Sequence, residues 1–311
     1  MALDMEGAAR QVDKVYAVRD TSVSAAHSHM AIATSNGFAG EREGTMYGGS
    51  VSAVAEENDE KVIHYEGAAR RHFSDMPDVK TIGRKAGERA RDMLNQTELG
   101  TTGKLPLVFE DKLASHVLLG NLLRAMGGSL VAEGKSFLDQ SDLGQKLFGN
   151  LTITDNWARA KALGSRVFDG SGIAGPEELK LVENGVLNHL RVGVRSARQL
   201  GLEPNGRSST SNVWIENGSV SKDELVKDIK LGLFVTGVMG QGFVPTTGDV
   251  SYIAEGFIIR DGKITNEYVQ GATIAGNLKA MLANATCADD LVFEYASNSP
   301  TVRVDGMTVS G

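Results

Sequence analysis

The chain has 311 residues, a length that predicts two domains and allows a sizeable hydrophobic core. Its composition, 41% hydrophobic and 23% charged, is typical of a globular protein, and its net charge of −7 argues against a dedicated nucleic-acid surface. A single Cys excludes an internal disulfide framework, and neither a signal peptide nor an apolar run of membrane-spanning length is visible. We therefore expect a cytoplasmic protein with no nucleic-acid or membrane partner.

Short β-prone segments dominate the first part of the chain. They lie at residues 15–18, 30–34, 49–55 and 62–65. The Asn-Gly pair at 36–37 and the polar run at 57–60 predict turns between them. Apolar residues then recur at helical spacing over residues 81–96, and a Gly-Thr-Thr-Gly segment follows at 100–103. We place the domain boundary there, which gives domains at residues 1–103 and 104–311.

The second part combines one long helix with many β-prone runs. A strand at 105–109 precedes Asp111, from which we expect a helix to run to about Met126. Ser221 and Glu224 form a capping box before another helix, and a last helix is predicted at 275–284. Asn-Gly or Asp-Gly pairs between β-prone runs predict type I′ hairpins at 184–185, 217–218 and 261–262. The predicted fold class is α+β: an N-terminal α/β domain, then a mainly antiparallel β domain with a few helices.

Two glycine-rich segments resemble nucleotide-binding loops but fail the test of context. Residues 170–175 match G-x-G-x-x-G, yet Pro176 follows and the turn at 184–185 leaves little room for a crossover helix. Residues 128–136 nearly match the phosphate-binding P-loop, but one extra residue separates the glycines and a helix precedes them. We predict a turn-rich loop at 170–175 and no ATP-binding loop at 128–136.

Candidate ligands and nucleophiles are scattered along the chain. His27 and His29 share one face of a predicted strand, but a zinc site needs at least three protein ligands. Cys287 follows a predicted helix with no recognisable base, so we expect a small, partly buried hydrophobe. No Gly-x-Ser-x-Gly elbow or marked carboxylate pair is present. The residues themselves predict no catalytic and no metal-binding side chain.

The end of the chain carries a family resemblance. Residues 271–282, Gly-Ala-Thr-Ile-Ala-Gly-Asn-Leu-Lys-Ala-Met-Leu, and residues 300–311 resemble the closing segments of the TldD/PmbA family, also called modulator of DNA gyrase. The catalytic branch of that family carries His-Glu-x-x-x-His on a helix, and no His of this chain is followed by Glu. The resemblance therefore implies the PmbA, or TldE, branch, whose members pair with the catalytic branch and carry no metal.

The resemblance also locates the degenerate motif. Counting back from the Gly-x-Ser segment at 134–136 puts the two His positions and the Glu position at Leu119, Arg124 and Gly120. Leucine has no lone pair for a metal, glycine cannot act as a base, and arginine stays protonated. The loop that supplies a Cys ligand in the catalytic branch corresponds to residues 294–299, which contain no Cys.

The resemblance implies a function shared with another chain. We expect a PmbA/TldE-like subunit of a metallopeptidase complex, acting in proteolysis or peptide maturation, with zinc only in a TldD-type catalytic paralogue. The substrate would be a peptide or an unfolded protein. Residues 1–103 resemble the later part of a longer N-terminal domain. Two alternatives stay open: a non-enzymatic binding or regulatory protein of the gyrase-modulator type, and a peptidase with an unrecognised metal site.

Overall fold

A computed structural model describes residues 1–240 and 242–311, which divide between two units. The first unit contains Met1–Thr97, Lys161–Leu163 and Asn266–Tyr268. The second contains Glu98–Ala160, Gly164–Thr265 and Val269–Gly311.

An antiparallel meander and two helices make up most of the first unit. Its elements are α1 (Ala2–Arg10), β1 (Val15–Ala33), β2 (Ala39–Glu57), β3 (Glu60–Arg70), a 3₁₀ turn (Phe73–Asp75), α2 (Val79–Asp92) and β4 (Gln96–Thr97). The sheet order is β1-β2-β3, and the predicted turns at 36–37 and 57–60 both connect neighbouring strands. The runs predicted separately at 15–18 and 30–34 belong to one 19-residue strand. Backbone pairing with β2 continues through their polar, exposed middle, so burial alone does not mark the strand.

Close contact between α1 and α2 explains two glycines. A Cβ atom on Gly83 would lie 2.1 Å from the carbonyl oxygen of Met5, and one on Gly87 would lie 2.9 Å from that of Ala9. The missing side chains therefore let the two helix backbones approach each other. Met5 and Ala9 are fully buried there, which places the core of this unit between the helices and the sheet.

The second unit contains two sheets and several short helices. Its strands are β5 (Thr102–Phe109), β6 (Ile153–Asn156), β7 (Glu178–Glu183), β8 (Val186–Leu187), β9 (Val213–Ile215), β10 (Leu231–Met239), β11 (Asp249–Arg260), β12 (Lys263–Asn277), β13 (Ala285–Cys287), β14 (Ser297–Asn298) and β15 (Val302–Ser310). Its helices are α3 (Asp111–Ala114), a π-helical segment (Ser115–Gly120), α4 (Asn121–Ala125), α5 (Gly128–Ala132), a 3₁₀ turn (Gln140–Asp142), α6 (Val194–Leu200), α7 (Lys222–Val226) and α8 (Leu278–Ala283). α3, the π segment and α4 are continuous, and we call the three together the motif helix.

Antiparallel pairing dominates both sheets of this unit. The larger contains the order β13-β15-β5-β10-β11-β12, and β15 also pairs with β12, so five of its strands close on themselves. The smaller has the order β14-β9-β6-β7-β8. Two parallel pairs interrupt the pattern, β5 with β10 and β14 with β9. The predicted α+β class with mainly antiparallel strands is confirmed.

Two of the three predicted hairpins of the second unit are present. Asn184 and Gly185 join β7 to β8, Asp261 and Gly262 join β11 to β12, and all four residues have positive φ as a type I′ turn requires. The hairpin predicted at 217–218 is wrong. β9 pairs with β6 and β14, and the chain leaves it for α7 and then for a strand of the other sheet.

The predicted helices are present, but some of their bounds differ from the prediction. The capping box of Ser221 and Glu224 opens α7. The predicted helix at 81–96 is α2, and the one at 275–284 shortens to α8 because residues 275–277 end β12. One continuous core of the second unit includes Leu107, Phe109 and Leu119. Within the described residues, no helix has the length and apolarity needed to cross a membrane.

Candidate functional site

The motif helix does not gather the three degenerate motif positions at one site. Leu119 is fully buried in the core, Gly120 is half-buried, and Arg124 is exposed near the helix end. None of the three can ligate a metal as it stands. Within residues 1–240 and 242–311, no group of three or more His, Cys, Asp or Glu side chains is arranged to hold a metal ion.

The loop at 294–299 lies against the motif helix. Asn298 stabilises it, because its side-chain oxygen accepts hydrogen bonds of 2.9 Å from the backbone N–H groups of Glu294 and Tyr295. A small pocket of about 10 Å³ between loop and helix is lined by Asp111, Ser115 and Asn298, among others. That volume holds at most one water molecule, so it offers no room for a peptide side chain.

Asp111 is the perturbed carboxyl group of this pocket. Burial raises its pKa, and the neighbouring carboxylates of Asp290 and Glu294 act in the same direction. A raised carboxyl pKa occurs at catalytic sites, but a catalytic role also needs a substrate within reach. The pocket is too small to provide one.

Cys287 is a buried residue of β13 rather than a nucleophile. Burial raises the pKa of its thiol to about 12, with Asp290 acting in the same direction. The thiolate is the reactive form, and at neutral pH almost none of it is present. The structure thus agrees with the expected small hydrophobe, and it shows the side chain to be buried rather than partly buried.

His27 and His29 lie on an exposed stretch of the β1–β2 ribbon. The Nε2 atom of His27 is 3.9 Å from a carboxylate oxygen of Glu43, and that of His29 is 3.2 Å from one of Glu41. All four side chains are at least half exposed, so these pairs contribute little to stability. The two histidines therefore form ordinary surface contacts with Glu43 and Glu41.

The two glycine-rich segments form no nucleotide-binding loop. Residues 170–175 are a loop without a following helix, and α5 begins at Gly128 itself rather than after a phosphate loop. Both segments nevertheless reach one cavity, to which they contribute Ser171, Gly128 and Ser129.

This cavity, which we call the Arg191 cavity, has a volume of about 390 Å³. Its lining residues are Gly127, Gly128, Ser129, Leu130, Ser171, Arg191, Gly193, Val194, Arg195, Ser196 and Ser208. The two charged side chains of this lining are both arginines. Sequence reasoning missed the cavity because its walls come from four separate segments, two of which are the glycine-rich segments discussed above.

A buried ion pair lies next to Ser208, one of the residues that line the Arg191 cavity. Arg207 and Asp155 are both fully buried, with 2.6 Å between Nε and a carboxylate oxygen. Arg207 also donates hydrogen bonds to the backbone carbonyls of Pro176 (2.8 Å) and Asn205 (3.3 Å). These bonds tie the loop around residue 207 to β6 and to the segment before β7.

Asp169 fixes a second part of the wall. Burial opposes its ionisation, but hydrogen bonds from the Ser208 hydroxyl and from the backbone N–H groups of Ser171 and Ile173 outweigh burial and lower its pKa. Its charge is therefore compensated by protein donors.

Family models match the chain along nearly its whole length. The model for the PmbA/TldA metallopeptidase C-terminal domain matches residues 102–311, and the model for the central domain matches residues 1–94. This chain belongs to the PmbA/TldD metallopeptidase family. The resemblance carried by residues 271–282 and 300–311 is thereby confirmed.

Individual members of the PmbA/TldD family agree with this assignment. Metalloprotease PmbA of Escherichia coli O157:H7 is 31% identical over 317 residues, a match that covers 100% of this chain and 69% of that protein. The crystal structure of a candidate modulator of DNA gyrase from Bacteroides thetaiotaomicron matches with a TM-score of 0.90 and 29% identity, over 100% of this chain and 71% of that one. TldE of Thermococcus kodakarensis shares the fold, with a TM-score of 0.83 and 21% identity over 99% of this chain and 73% of that one.

Proposed function

We propose that this PmbA/TldD family member is a PmbA/TldE-like subunit of a metallopeptidase complex, without a zinc site of its own. The observation that carries the proposal is the motif helix. Its degenerate positions hold a buried leucine, a glycine and an exposed arginine, and a zinc peptidase needs ligands and a base at such positions.

The proposed partner is a TldD-type paralogue that supplies the zinc, the general base and the His-Glu-x-x-x-His motif. The proposed substrate is a peptide or an unfolded protein, cut during proteolysis or peptide maturation. This chain would shape access to the partner's zinc or stabilise the catalytic chain. A net charge of −7 favours a protein partner over nucleic acid, and the single free Cys fits a cytoplasmic location.

Reconstitution tests the proposal. We would mix the purified chain with the His-Glu-x-x-x-His paralogue of its own organism and follow size-exclusion elution and peptide cleavage. We expect the two chains to co-elute and cleavage to exceed that of the paralogue alone. The proposal fails if no complex forms at micromolar concentration and the cleavage rate is unchanged.

A variant of the paralogue shows which of the two chains cleaves the peptide. Replacing the Glu of its motif by Gln removes the general base and should abolish cleavage in the mixture. Cleavage that persists would show that this chain hydrolyses peptides itself. Recovery of a topoisomerase instead of the paralogue from the native cell would favour the gyrase-modulator alternative.

A further inference from the structure

The guanidinium group of Arg191 forms no salt bridge with a carboxylate of residues 1–240 or 242–311. Its Nη1 atom donates a 2.8 Å hydrogen bond to the carbonyl oxygen of Leu123 in the motif helix. Its Nε atom is buried and has no hydrogen-bond partner within the part of the chain that the structure describes. Burial lowers the pKa of Arg191 to about 10, which is the effect of desolvating a cation without close compensation. A largely buried cation with a spare donor is costly unless something else satisfies it.

Arg207, in the same unit, is an arginine with a structural role and can be compared with Arg191. Its Nε atom lies 2.6 Å from the Asp155 carboxylate, and its terminal nitrogens donate to four backbone carbonyls. Asp155 is also the carboxylate that acts on Arg191 from a distance, but its close contact is with Arg207. The Nε atoms of both arginines lack a well-aligned hydrogen bond, but Arg207 has the Asp155 carboxylate at 2.6 Å, whereas Arg191 has no carboxylate as close among the described residues.

A second cation and two hydroxyl groups face the same cavity. Arg195 lines it, is exposed, and forms no ion pair with any described residue; Glu133, the acid that interacts with it, is held at 2.7 Å by Lys135. The hydroxyl groups of Ser129 and Ser171 have no protein partner among residues 1–240 and 242–311. Two cations and two spare hydroxyls around one void are the donors that an oxyanion takes.

We propose that the Arg191 cavity binds an oxyanion through Arg191 and Arg195, and that this oxyanion is the carboxylate terminus of a peptide. The planar set of N–H donors on arginine binds both carboxylate and phosphate, so the cavity walls identify the ligand as an oxyanion without choosing between the two. A volume of about 390 Å³ accommodates a terminal residue together with its carboxylate. Peptide as the source rests on the proposed function, whereas the oxyanion site stands without it.

Calorimetric titration of the chain without any partner tests the site. The probes are N-acetyl-alanyl-alanine, its C-terminal amide and inorganic phosphate, each at low ionic strength. We expect the free acid to bind and the amide to fail. Arg195→Gln should weaken binding about tenfold, because it removes a charge-assisted contact. Arg198→Gln is the matched control, since Arg198 is exposed on the same helix α6 and does not line the cavity. It should leave binding unchanged.

The outcomes test the oxyanion site and the peptide source separately. If phosphate binds in an Arg195-dependent way and the acid does not, the oxyanion site stands and the peptide source is overturned. If none of the probes binds, or if Arg195→Gln and Arg198→Gln behave alike, the site itself is overturned. Arg191→Gln, confirmed as folded by circular dichroism, must also lose binding. Because the assay reads binding by this chain alone, failure of the peptidase complex to form would leave its result intact.

Discussion

The buried pair of Arg207 and Asp155 gives the sharpest stability prediction. We consider Asp155→Asn, which keeps the shape of the side chain but removes its charge. Arg207 would then remain fully buried as a cation without a carboxylate, held only by backbone carbonyls. Breaking a buried pair from one side costs about 3–5 kcal/mol. We take the upper part of that range, because Asp155 also accepts hydrogen bonds from Ser211.

Urea unfolding followed by tryptophan fluorescence measures the effect. Both tryptophans, Trp157 and Trp214, belong to the second unit, and Trp214 pairs with Thr154, next to Asp155, across the β6–β9 ladder. With a cost of about 4–5 kcal/mol and a urea m-value of about 2–3 kcal/mol/M, we expect the midpoint to fall by about 1.3–2.5 M.

The control is an exposed pair of almost the same length in the same sheet. Lys180 and Glu183 lie 2.7 Å apart, with side chains 46% and 43% exposed. Glu183→Gln should leave the midpoint unchanged, because solvent screens such pairs. Equal midpoint shifts for Asp155→Asn and Glu183→Gln, or a fall below about 0.3 M for Asp155→Asn, would refute the argument from burial.

Three further outcomes follow from individual sites. Purified chain should carry no stoichiometric zinc by elemental analysis. The triple variant Leu119→His, Gly120→Glu, Arg124→His should show no chelator-sensitive peptidase activity, because the residues that would orient the new ligands are missing as well. Hydrolysis by that variant would contradict our account of the motif helix. Gly185→Ala should destabilise the second unit by at least about 1 kcal/mol in urea, because φ is +82° there and the new Cβ would lie 2.1 Å from a backbone oxygen. With a thiol pKa of about 12, Cys287 should react with iodoacetamide at pH 8 roughly a thousandfold more slowly in folded than in urea-unfolded chain, and equal rates would show that the thiol is accessible.

Local signals in the sequence predicted turns better than strand partners. At 184–185 and 261–262 the Gly-containing pairs sit between strands that are neighbours in a sheet, so the turn prediction and the pairing agreed. At 217–218 the same signature is present, but the flanking strands belong to different sheets. Gly218 is required for another reason, since a Cβ there would lie 1.8 Å from the Cys287 carbonyl oxygen. A dipeptide pattern cannot report such a long-range contact.

The functional features show the same contrast: some could be predicted from local sequence, and others depend on the tertiary fold. The absence of His-Glu and of a Cys in the loop at 294–299 could be read directly from the sequence. The Arg191 cavity could not, because Ser129, Ser171 and Arg191 are brought together only by the tertiary fold. The glycine patterns near Ser129 and Ser171 resembled nucleotide-binding loops, a reading that their sequence context already excluded, and nothing in them indicated that the two segments line one cavity.

The π-helical turn at Ser115–Gly120 changes which residues of the motif helix point in the same direction. In an α-helix, residues five apart differ in direction by about 140°. A turn with hydrogen bonds from i to i+5 winds more loosely and brings such residues to within about 50° of each other. In this chain the five-residue pair on one side of the helix is Ser115 and Gly120: a Cβ on Gly120 would lie 3.4 Å from the Ser115 carbonyl oxygen, and Ser115 lines the small pocket beside Asn298. Leu119 and Arg124 have the same separation but point into the core and into solvent. A five-residue ligand spacing such as His-Glu-x-x-x-His therefore matches the winding at 115–120, and engineered ligands would meet there more readily than one turn further along.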